Sequence, residues 1–96
     1  MSYELGFVEA ALKEWRKLDS NTREQFKKKL AERCANPHVP SAKLSGAKDR
    51  YKIKLRGVGY RLVYEVRDDQ LIIIVIAVGK RDRAAVYKDA AKRDAE

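Results

Sequence analysis

Residues 51 to 56 alternate strictly between apolar and cationic side chains, and this alternation constrains the fold more than any other feature of the chain. The segment reads Tyr-Lys-Ile-Lys-Leu-Arg and is followed by Gly-Val-Gly, Tyr60 and Arg61. Because successive side chains of a strand point to opposite faces, the pattern predicts one apolar and one cationic face. The glycine-rich break predicts a hairpin that returns Arg61 to the cationic face.

Three strands are predicted in the second half of the chain, over about residues 50–56, 60–67 and 70–79. The breaks between them, Gly-Val-Gly and Asp-Asp, consist of turn-forming residues. Strands joined by such short links must be antiparallel. The third strand is apolar on both faces, which predicts a central position in the sheet.

The first half of the chain predicts a short strand over 2–7 and two amphipathic helices, from about 7 to 18 and from about 21 to 35. Asn21 and Glu24 resemble a capping box at the start of the second helix. Two helices joined by so short a turn should form an antiparallel hairpin. A short helix over 83–93 has few large apolar anchors, which predicts weak docking.

A chain of 96 residues is one small domain, here 1–96. The predicted fold class is α+β, with an N-terminal strand, an antiparallel helix hairpin, an antiparallel three-strand meander that completes one sheet, and a short C-terminal helix. The two long helices should cover the apolar face of the sheet and leave the cationic face open.

The hairpin register follows from the need for one apolar side. Leu55 opposite Leu62 and Ile53 opposite Tyr64 would satisfy this need. Like charges directly opposite each other destabilise a sheet, and such a broken rule tends to mark function. The predicted pairs on the other face are Arg56 with Arg61, Lys54 with Val63 and Lys52 with Glu65.

The chain carries 22 Lys and Arg against 14 Asp and Glu, a formal net charge of +8. An excess of this size indicates nucleic acid, an acidic protein or both as partners. The cations cluster over residues 48–61 and again in Lys-Arg-Asp-Arg at 80–83. The simpler alternative is that these side chains form the solvated outer face of a small sheet.

Residues typical of common catalytic sites are scarce. Cys34 is the only cysteine and has the spacing of a packing residue, and His38 is the only histidine and lies in a loop between prolines. No metal site and no cofactor is predicted. The longest apolar run, over 71–78, is too short to span a bilayer, and no signal peptide is visible, so a cytoplasmic protein is expected.

Lysine, arginine and tyrosine around a phosphate suit RNA cleavage by internal attack of the 2′-hydroxyl. Clustered cations stabilise the charge that develops on the phosphoryl oxygens. Because neighbouring cations lower the pKa of a lysine, one such lysine could act as the base, and Glu65 is a second candidate. Arginine, whose pKa exceeds about 12, is better suited to charge stabilisation than to proton donation.

Four motifs together resemble the RelE family of type II toxin–antitoxin toxins, within the RelE/ParE superfamily. They are Lys-Glu-Trp-Arg-Lys-Leu at 13–18, Tyr-Lys-Ile-Lys-Leu-Arg at 51–56, Gly-Tyr-Arg-Leu-Val-Tyr at 59–64, and Val-Gly-Lys-Arg-Asp-Arg at 78–83 with Val-Tyr at 86–87. The resemblance extends from about residue 3 to 93. It implies a microbial ribonuclease-like fold and a metal-independent endoribonuclease that cuts mRNA in the A site of the 70S ribosome, leaving a 2′,3′-cyclic phosphate and a 5′-hydroxyl.

The resemblance also implies the catalytic residues. Lys54 would be the base, alone or with Tyr87, which would also stack on a nucleobase. Arg81 would act as the acid or stabilise the leaving group, while Lys52 and Arg61 would stabilise the phosphorane.

Further cations would bind RNA. Arg56, Lys80 and Arg83 would support binding beside the catalytic residues. On the helices, contact with ribosomal RNA and a solvated charged face remain equal alternatives for Lys13, Arg16, Lys17, Lys27 and Lys28.

The family further implies a cognate RelB-like antitoxin, acidic and partly disordered, that covers or displaces the C-terminal helix. The complex would repress its own operon and contact operator DNA only through the antitoxin. No membrane partner is expected. Two alternatives stay open, a ParE-type toxin that inhibits DNA gyrase and a non-catalytic RNA- or ribosome-binding module.

Overall fold

One mixed sheet and the helices packed against it form the fold, in the element order that the sequence predicts. The computed structural model describes residues 2–46, 49–80 and 85–94. The described elements are β1 (Glu4–Phe7), α1 (Glu9–Arg16), α2 (Ser20–Ala35), a 3-10 turn (Pro40–Ala42), β2 (Arg50–Leu55), β3 (Tyr60–Arg67), β4 (Ile72–Lys80) and α3 (Ala85–Ala91).

The strands are arranged in the order β1-β4-β3-β2. The β2–β3 and β3–β4 pairs are antiparallel, as predicted, and β1 pairs in parallel with β4. β4 is therefore an interior strand, and Ile73, Val75 and Ile76 on it are completely buried. This position explains why its sequence is apolar on both faces.

The first two helices cover the face of the sheet that carries the apolar residues of β2 and β3. Trp15 of α1 links the layers, since its ring lies 5.2 Å from that of Phe7 and 6.2 Å from that of Phe26. Phe26 and Leu30 of α2 are buried, and Cys34 on the same stripe is half-buried. None of the helices in the described ranges is both long enough and apolar enough to cross a membrane.

The opposite face is only partly open, because α3 packs over its centre. Val63 and Ala77, which are paired on that face, are fully buried. Val86 of α3 lies so close to Gly79 that a Cβ added to the glycine would be 3.0 Å from it. The expectation that the helices leave the cationic face open is therefore wrong for β3 and β4, although Lys54 on β2 remains exposed.

The β2–β3 register differs from the predicted one by two residues. Leu55 pairs with Tyr60 and Ile53 with Leu62, so the apolar face is as predicted but every partner is shifted. The loop consists of residues 56–59, closed by a bond from the Gly59 amide to the Leu55 carbonyl (2.8 Å). Gly59 has φ +72°, a left-handed conformation that favours glycine. In the predicted register the last position of the loop would be Tyr60, and the Cβ atom of a tyrosine disfavours the left-handed conformation.

The predicted capping box is also wrong, because α2 begins before Asn21. Asp19 is the N-cap residue, and its carboxylate accepts a hydrogen bond from the Thr22 hydroxyl. Arg23 reaches back to the end of α1 and donates to the carbonyl oxygens of Leu18 (2.7 Å) and Arg16 (3.2 Å). The two bonds from Arg23 fix the turn between the two helices by satisfying carbonyl groups that the end of α1 leaves free.

Side chains also bond to the backbone at the two sides of the sheet. Arg33 of α2 donates to the Lys52 carbonyl of β2 (3.2 Å). On the part of β4 that extends beyond its pairing with β1, Glu14 accepts a hydrogen bond from the Val78 amide (3.1 Å). Arg93 donates one to the Ile76 carbonyl there (2.9 Å). Ile76 is the extra residue of a β-bulge, where the pairing shifts between Val63 and Tyr64.

Tyr64 is the largest fully buried side chain among the described residues, and its hydroxyl is fully used. It donates to the Pro37 carbonyl (2.8 Å) and accepts from Arg33 (2.9 Å), and the ring stacks on Tyr51 at 5.6 Å. Burial raises the pKa of Tyr64, and the bond from Arg33 lowers it by a smaller amount. The tyrosine thereby ties the loop after α2 to the sheet.

A second polar network joins four segments distant in sequence. The Tyr3 hydroxyl donates to Asp68 (2.5 Å), and the His38 ring contacts Asp68 through Nε2 (2.8 Å) and the Tyr51 hydroxyl through Nδ1 (2.9 Å). The bond from Tyr3, and secondly the bond from His38, hold the pKa of Asp68 below its ordinary value of 3.8. His38 is an exposed loop residue, as predicted.

Replacing Tyr64 with Phe should lower the free energy of unfolding by about 1–3 kcal/mol, because a buried carbonyl and a guanidinium each lose a partner. Urea unfolding at neutral pH measures the change. Tyr60→Phe, where the ring is half-exposed, is the matched control and should change stability by less than about 0.5 kcal/mol. Equal losses in the two variants would contradict the role given to the Tyr64 hydroxyl.

Stability should fall in acid partly through Asp68. A carboxyl group whose folded pKa is lowered stabilises the fold fully above its ordinary pKa, here 3.8, and that contribution is lost as the pH falls through the lowered value. Asp68→Asn should therefore reduce stability at pH 6 and flatten the decline between about pH 5 and 2. Unfolding curves across that range test this, with Asp69→Asn in the same turn as control. Parallel pH profiles for Asp68→Asn and the unaltered chain would refute it.

Candidate active site

A pair of like charges lies on the cationic face near the loop end of the β2–β3 hairpin. Lys54 of β2 is directly opposite Arg61 of β3, whereas the sequence prediction placed Val63 there. Lys54 is exposed and Arg61 is half-buried. Like charges opposite each other cost a few tenths to about 1 kcal/mol, so the predicted repulsion is present but between different partners. A bound anion would remove this cost.

Lys52 lies on the same face of β2, two residues before Lys54 and opposite Val63. Its side chain is half-buried. Because Val63 is apolar and fully buried, Lys52 has no charged residue directly opposite it, and the predicted neutralising pair with Glu65 is wrong.

Tyr87 of α3 packs against Arg61. The guanidinium carbon lies 5.4 Å from the centre of the phenol ring, and Nη1 is 3.3 Å from the hydroxyl oxygen. Both side chains are half-buried. The cation–π contact holds the guanidinium against the ring, which brings three of the predicted catalytic residues together: Lys54, Arg61 and Tyr87.

Two shallow depressions flank the end of the β2–β3 hairpin. One, of about 320 Å³, lies toward the hairpin loop, and the other, of about 360 Å³, lies along the side of β2. Lys54 and Arg56 line both, so a chain of linked phosphates could contact them from either side. The remaining lining residues are Leu55, Gly59, Tyr60 and Arg61 in the first and Arg33, Ser41, Ala42 and Lys52 in the second.

The second cationic cluster is described only in part. Lys80 ends β4, one residue beyond the predicted end of the strand, and is exposed opposite Tyr60. The strand pairing therefore brings Lys80 to the same end of the sheet as Arg61. Arg81 and Arg83, predicted as catalytic and RNA-binding residues, lie outside the described residues.

The cationic side chains on the helices are exposed. Both of their alternative roles, contact with ribosomal RNA and a solvated charged face, require this exposure. Lys27 pairs with Glu24 at 3.1 Å. Such an exposed pair contributes little to stability. The five exposed residues are Lys13, Arg16 and Lys17 on or just after α1 and Lys27 and Lys28 on α2.

Glu65, considered from sequence as a possible base, has both carboxylate oxygens engaged. Oε1 accepts from Nε of Arg50 (2.9 Å), its partner across the strands, and Oε2 accepts from Nε of Arg67 (3.0 Å). Both oxygens are thereby occupied by guanidinium groups of the protein, and the side chain is only 16% exposed. The structure therefore gives Glu65 a structural role.

Sequence reasoning missed the side chains that hold α3 in place. Arg50 donates to the carbonyl oxygens of Ala90 (2.5 Å) and Arg93 (2.7 Å), and Arg93 itself pairs with Glu14 at 2.9 Å. The bond to Glu14 raises the pKa of Arg93. No periodicity links residues so distant in sequence, and only the correct β2–β3 register would have placed Arg50 beside Glu65.

The arrangement is suited to a phosphodiester whose charge increases during reaction. Fixed cations close to one another stabilise an oxyanion without rearranging at the moment of reaction. An aromatic ring such as that of Tyr87 has the kind of flat surface on which a nucleobase can stack. The site therefore combines a rigid cationic strand pair with an aromatic side chain from a separate helix.

Comparison with known proteins agrees with this geometry. The family model for the ParE toxin of type II toxin–antitoxin systems matches residues 6–85, and the chain belongs to this family of toxins. Two similar proteins are named as RelE or RelE-like toxins. A putative RelE-like toxin protein of Escherichia coli is 61% identical over 97% of this chain and 98% of its own, and the mRNA interferase toxin RelE of strain K12 is 57% identical over the same shares.

Solved structures extend the likeness to the backbone. A mutant of E. coli toxin RelE in the free state matches with a TM-score of 0.90 and 55% identity, covering 97% of this chain and 98% of that one. RelE in the intact E. coli RelBE toxin–antitoxin complex matches with a TM-score of 0.82 and 56% identity, covering 85% of this chain and all of that one. The predicted RelE-like fold is confirmed.

Lys54→Ala should weaken binding of a short single-stranded RNA and reduce the dependence of log affinity on log salt concentration by about 0.7, the share of one phosphate contact. Binding titrations at several salt concentrations measure the slope. Arg67→Ala, at the far end of β3, is the control and should keep the slope of the unaltered chain. A slope unchanged by Lys54→Ala would exclude this lysine as a phosphate contact.

Proposed function

We propose that this chain is an mRNA interferase toxin, a ribosome-dependent endoribonuclease that cuts mRNA in the A site and thereby inhibits translation. The observation that carries the proposal is the grouping of Lys54, Arg61 and Tyr87 in a chain 57% identical to RelE along nearly its whole length. The fold alone would serve either a nuclease or a gyrase inhibitor. A cation pair beside an aromatic ring suits RNA cleavage, because it can stabilise the charge on a phosphorane and stack on a nucleobase.

In the proposed reaction the 2′-oxygen attacks the adjacent phosphorus while the bond to the 5′-oxygen breaks. The 2′-hydroxyl proton passes to the base, and the departing 5′-oxygen takes a proton from Arg81 as the acid or, while Arg81 stabilises its charge, from solvent water. The products are a 2′,3′-cyclic phosphate and a 5′-hydroxyl. Lys52 and Arg61 stabilise the doubly charged phosphorane oxygens, and no step draws on a metal or other cofactor.

Lys54 acts as the base, alone or with the Tyr87 hydroxyl, and Arg81 stabilises the leaving oxygen. Tyr87 also stacks on a nucleobase, which orients the 2′-hydroxyl for in-line attack. Lysine, tyrosine and arginine side chains ordinarily keep their protons at neutral pH. The ribosome therefore contributes by holding the mRNA in a reactive geometry, which can supply a large part of the rate.

The cations around the site bind the RNA backbone. Arg56 in the hairpin loop and Lys80 at the end of β4 lie at the same end of the sheet as Arg61, and Arg83 adds to them. The exposed cations of α1 and α2 contact ribosomal RNA. The formal net charge of +8 favours this docking and makes it sensitive to salt.

A RelB-like antitoxin neutralises the toxin. RelE relatives have been solved in complex with the antitoxin RelB and with a RelB peptide. An acidic, partly disordered partner complements the positive chain, and α3, with Val86 and Ala90 as its buried apolar contacts, is the element that it covers or displaces. The complex represses its own operon and contacts operator DNA through the antitoxin. Both partners act in the cytoplasm.

Primer extension on mRNA in ribosomes with an empty A site tests the proposal. The unaltered chain should create a new 5′-hydroxyl end within the A-site codon, and only when ribosomes are present. Arg81→Ala and Tyr87→Ala should each lower the cleavage rate by at least about 100-fold, the typical effect of losing one catalytic group, while circular dichroism shows an intact fold.

Negative results in this experiment would distinguish the alternative functions. No cut, together with inhibited DNA supercoiling by gyrase, would replace the nuclease with a ParE-type toxin. No cut and no effect on gyrase would leave a binding module. Full cleavage by both variants would overturn the assignment of the active site while leaving the activity itself in place.

A further inference from the structure

Arg50 uses every nitrogen of its guanidinium group inside the protein. Nε donates to Glu65 (2.9 Å), Nη1 to the carbonyl of Ala90 (2.5 Å) and Nη2 to the carbonyl of Arg93 (2.7 Å). The side chain is only 12% exposed. Arg50 is therefore not oriented toward RNA, although it lies on the same strand and the same face as Lys52 and Lys54.

Of the two carbonyl oxygens that Arg50 binds, that of Ala90 lies in the last turn of α3 and also accepts from the Arg93 amide, and that of Arg93 lies two residues beyond the helix. The last carbonyl groups of a helix have no partner within it, and the helix dipole makes this end favourable for a cation. α3 has only seven residues, too few to be stable by itself. Contacts outside the helix must therefore hold it in place.

Glu65 orients the guanidinium. It pairs with Arg50 across the β2–β3 strands and is fixed on its other side by Arg67. The Glu65 side chain is 16% exposed. A partly buried, doubly bonded carboxylate of this kind gives the arginine a defined geometry, which a solvated ion pair would not.

Tyr87 lies one helical turn before Ala90, whose carbonyl Arg50 holds. A shift or unwinding of the end of α3 would move the phenol away from Arg61, which it now meets at 5.4 Å. Arg93 is anchored separately, on Glu14 of α1 and the Ile76 carbonyl. Of these two anchors, Arg50 is the one that joins α3 to the strand carrying the catalytic lysines.

We propose that Arg50 is a positioning residue that latches the end of α3 to β2 and thereby sets Tyr87 over Arg61 for RNA cleavage. The inference rests on the proposed nuclease function for its catalytic consequence. Its structural part, the seating of α3, stands without that function. The two parts can therefore be measured separately.

The test compares Arg50→Gln with Arg67→Gln. Both substitutions remove one positive charge and one partner of Glu65, but only the first removes contacts to α3. Amide hydrogen exchange in residues 85–91 should accelerate at least tenfold in Arg50→Gln and less than twofold in Arg67→Gln. Arg50→Lys, which keeps the charge but loses the forked geometry, should give an intermediate acceleration.

Single-turnover cleavage on ribosomes supplies the second readout. Arg50→Gln should lower the maximal rate at least tenfold while the toxin concentration for half-maximal rate changes less than twofold, because RNA binding is retained and Tyr87 is misplaced. Arg67→Gln should match the unaltered chain in both values. A raised half-maximal concentration with an unchanged maximal rate would overturn the proposal, since it would make Arg50 an RNA-binding residue.

A cross-link provides the rescue. A Cβ at position 79 would lie 3.0 Å from Cγ2 of Val86, which is compatible with the separation of about 3.5–4.5 Å between the Cβ atoms of a disulfide. Gly79→Cys with Val86→Cys, added to Arg50→Gln, should restore slow exchange when oxidised and lose it when reduced. The oxidised variant that carries Arg50→Gln and both cysteines should then cleave RNA at no less than half the rate of the oxidised variant that carries both cysteines and keeps Arg50.

The outcomes distinguish the two proposals. Unchanged exchange over 85–91 in Arg50→Gln would refute the latch, whatever the cleavage rates are. Faster exchange with a normal cleavage rate would refute the positioning of Tyr87. An unaltered chain that cuts no RNA would refute the proposed function, and the exchange data would still decide whether Arg50 holds α3.

Discussion

The left-handed backbone of Gly59 is the constraint on which the cationic face depends. It closes the β2–β3 loop over residues 56–59 and so fixes which residues of the two strands are opposite one another. A shift of two residues would preserve the apolar face but separate Lys54 from Arg61. One backbone conformation, available mainly to glycine, thus decides the spacing of the charges that the site uses.

The site is assembled from parts of unequal rigidity. Lys52, Lys54 and Arg61 stand on a strand pair whose other face is packed into the core, so their backbone positions are fixed by burial. Tyr87 belongs to a short helix held by a few apolar residues and two arginines. Rigid cations suit the stabilisation of developing charge. The position of Tyr87 depends instead on the few contacts that hold α3 in place.

Local patterns predicted most of the fold, and contacts between distant residues account for what they missed. Period-two and helical spacings gave the element order, the antiparallel meander and the apolar face of the hairpin. The register failed because the sequence does not tell which glycine of Gly-Val-Gly adopts the left-handed conformation. Arg50 with Ala90 and Glu14 with Arg93 are 40 and 79 residues apart, and no periodicity connects them. The face on which the strand residues of the candidate site lie was therefore predictable from the sequence, whereas the contacts that hold Tyr87 beside Arg61 were not.

The side chains that bond to the backbone at the sides of the sheet have a further consequence. Arg33 occupies a carbonyl of β2, and Glu14 and Arg93 occupy an amide and a carbonyl of β4 where β1 has ended. A strand from another molecule would have to break these charge-assisted bonds before it could pair there. The open edge of β2 and the part of β4 beyond β1 therefore resist the addition of a strand from another molecule.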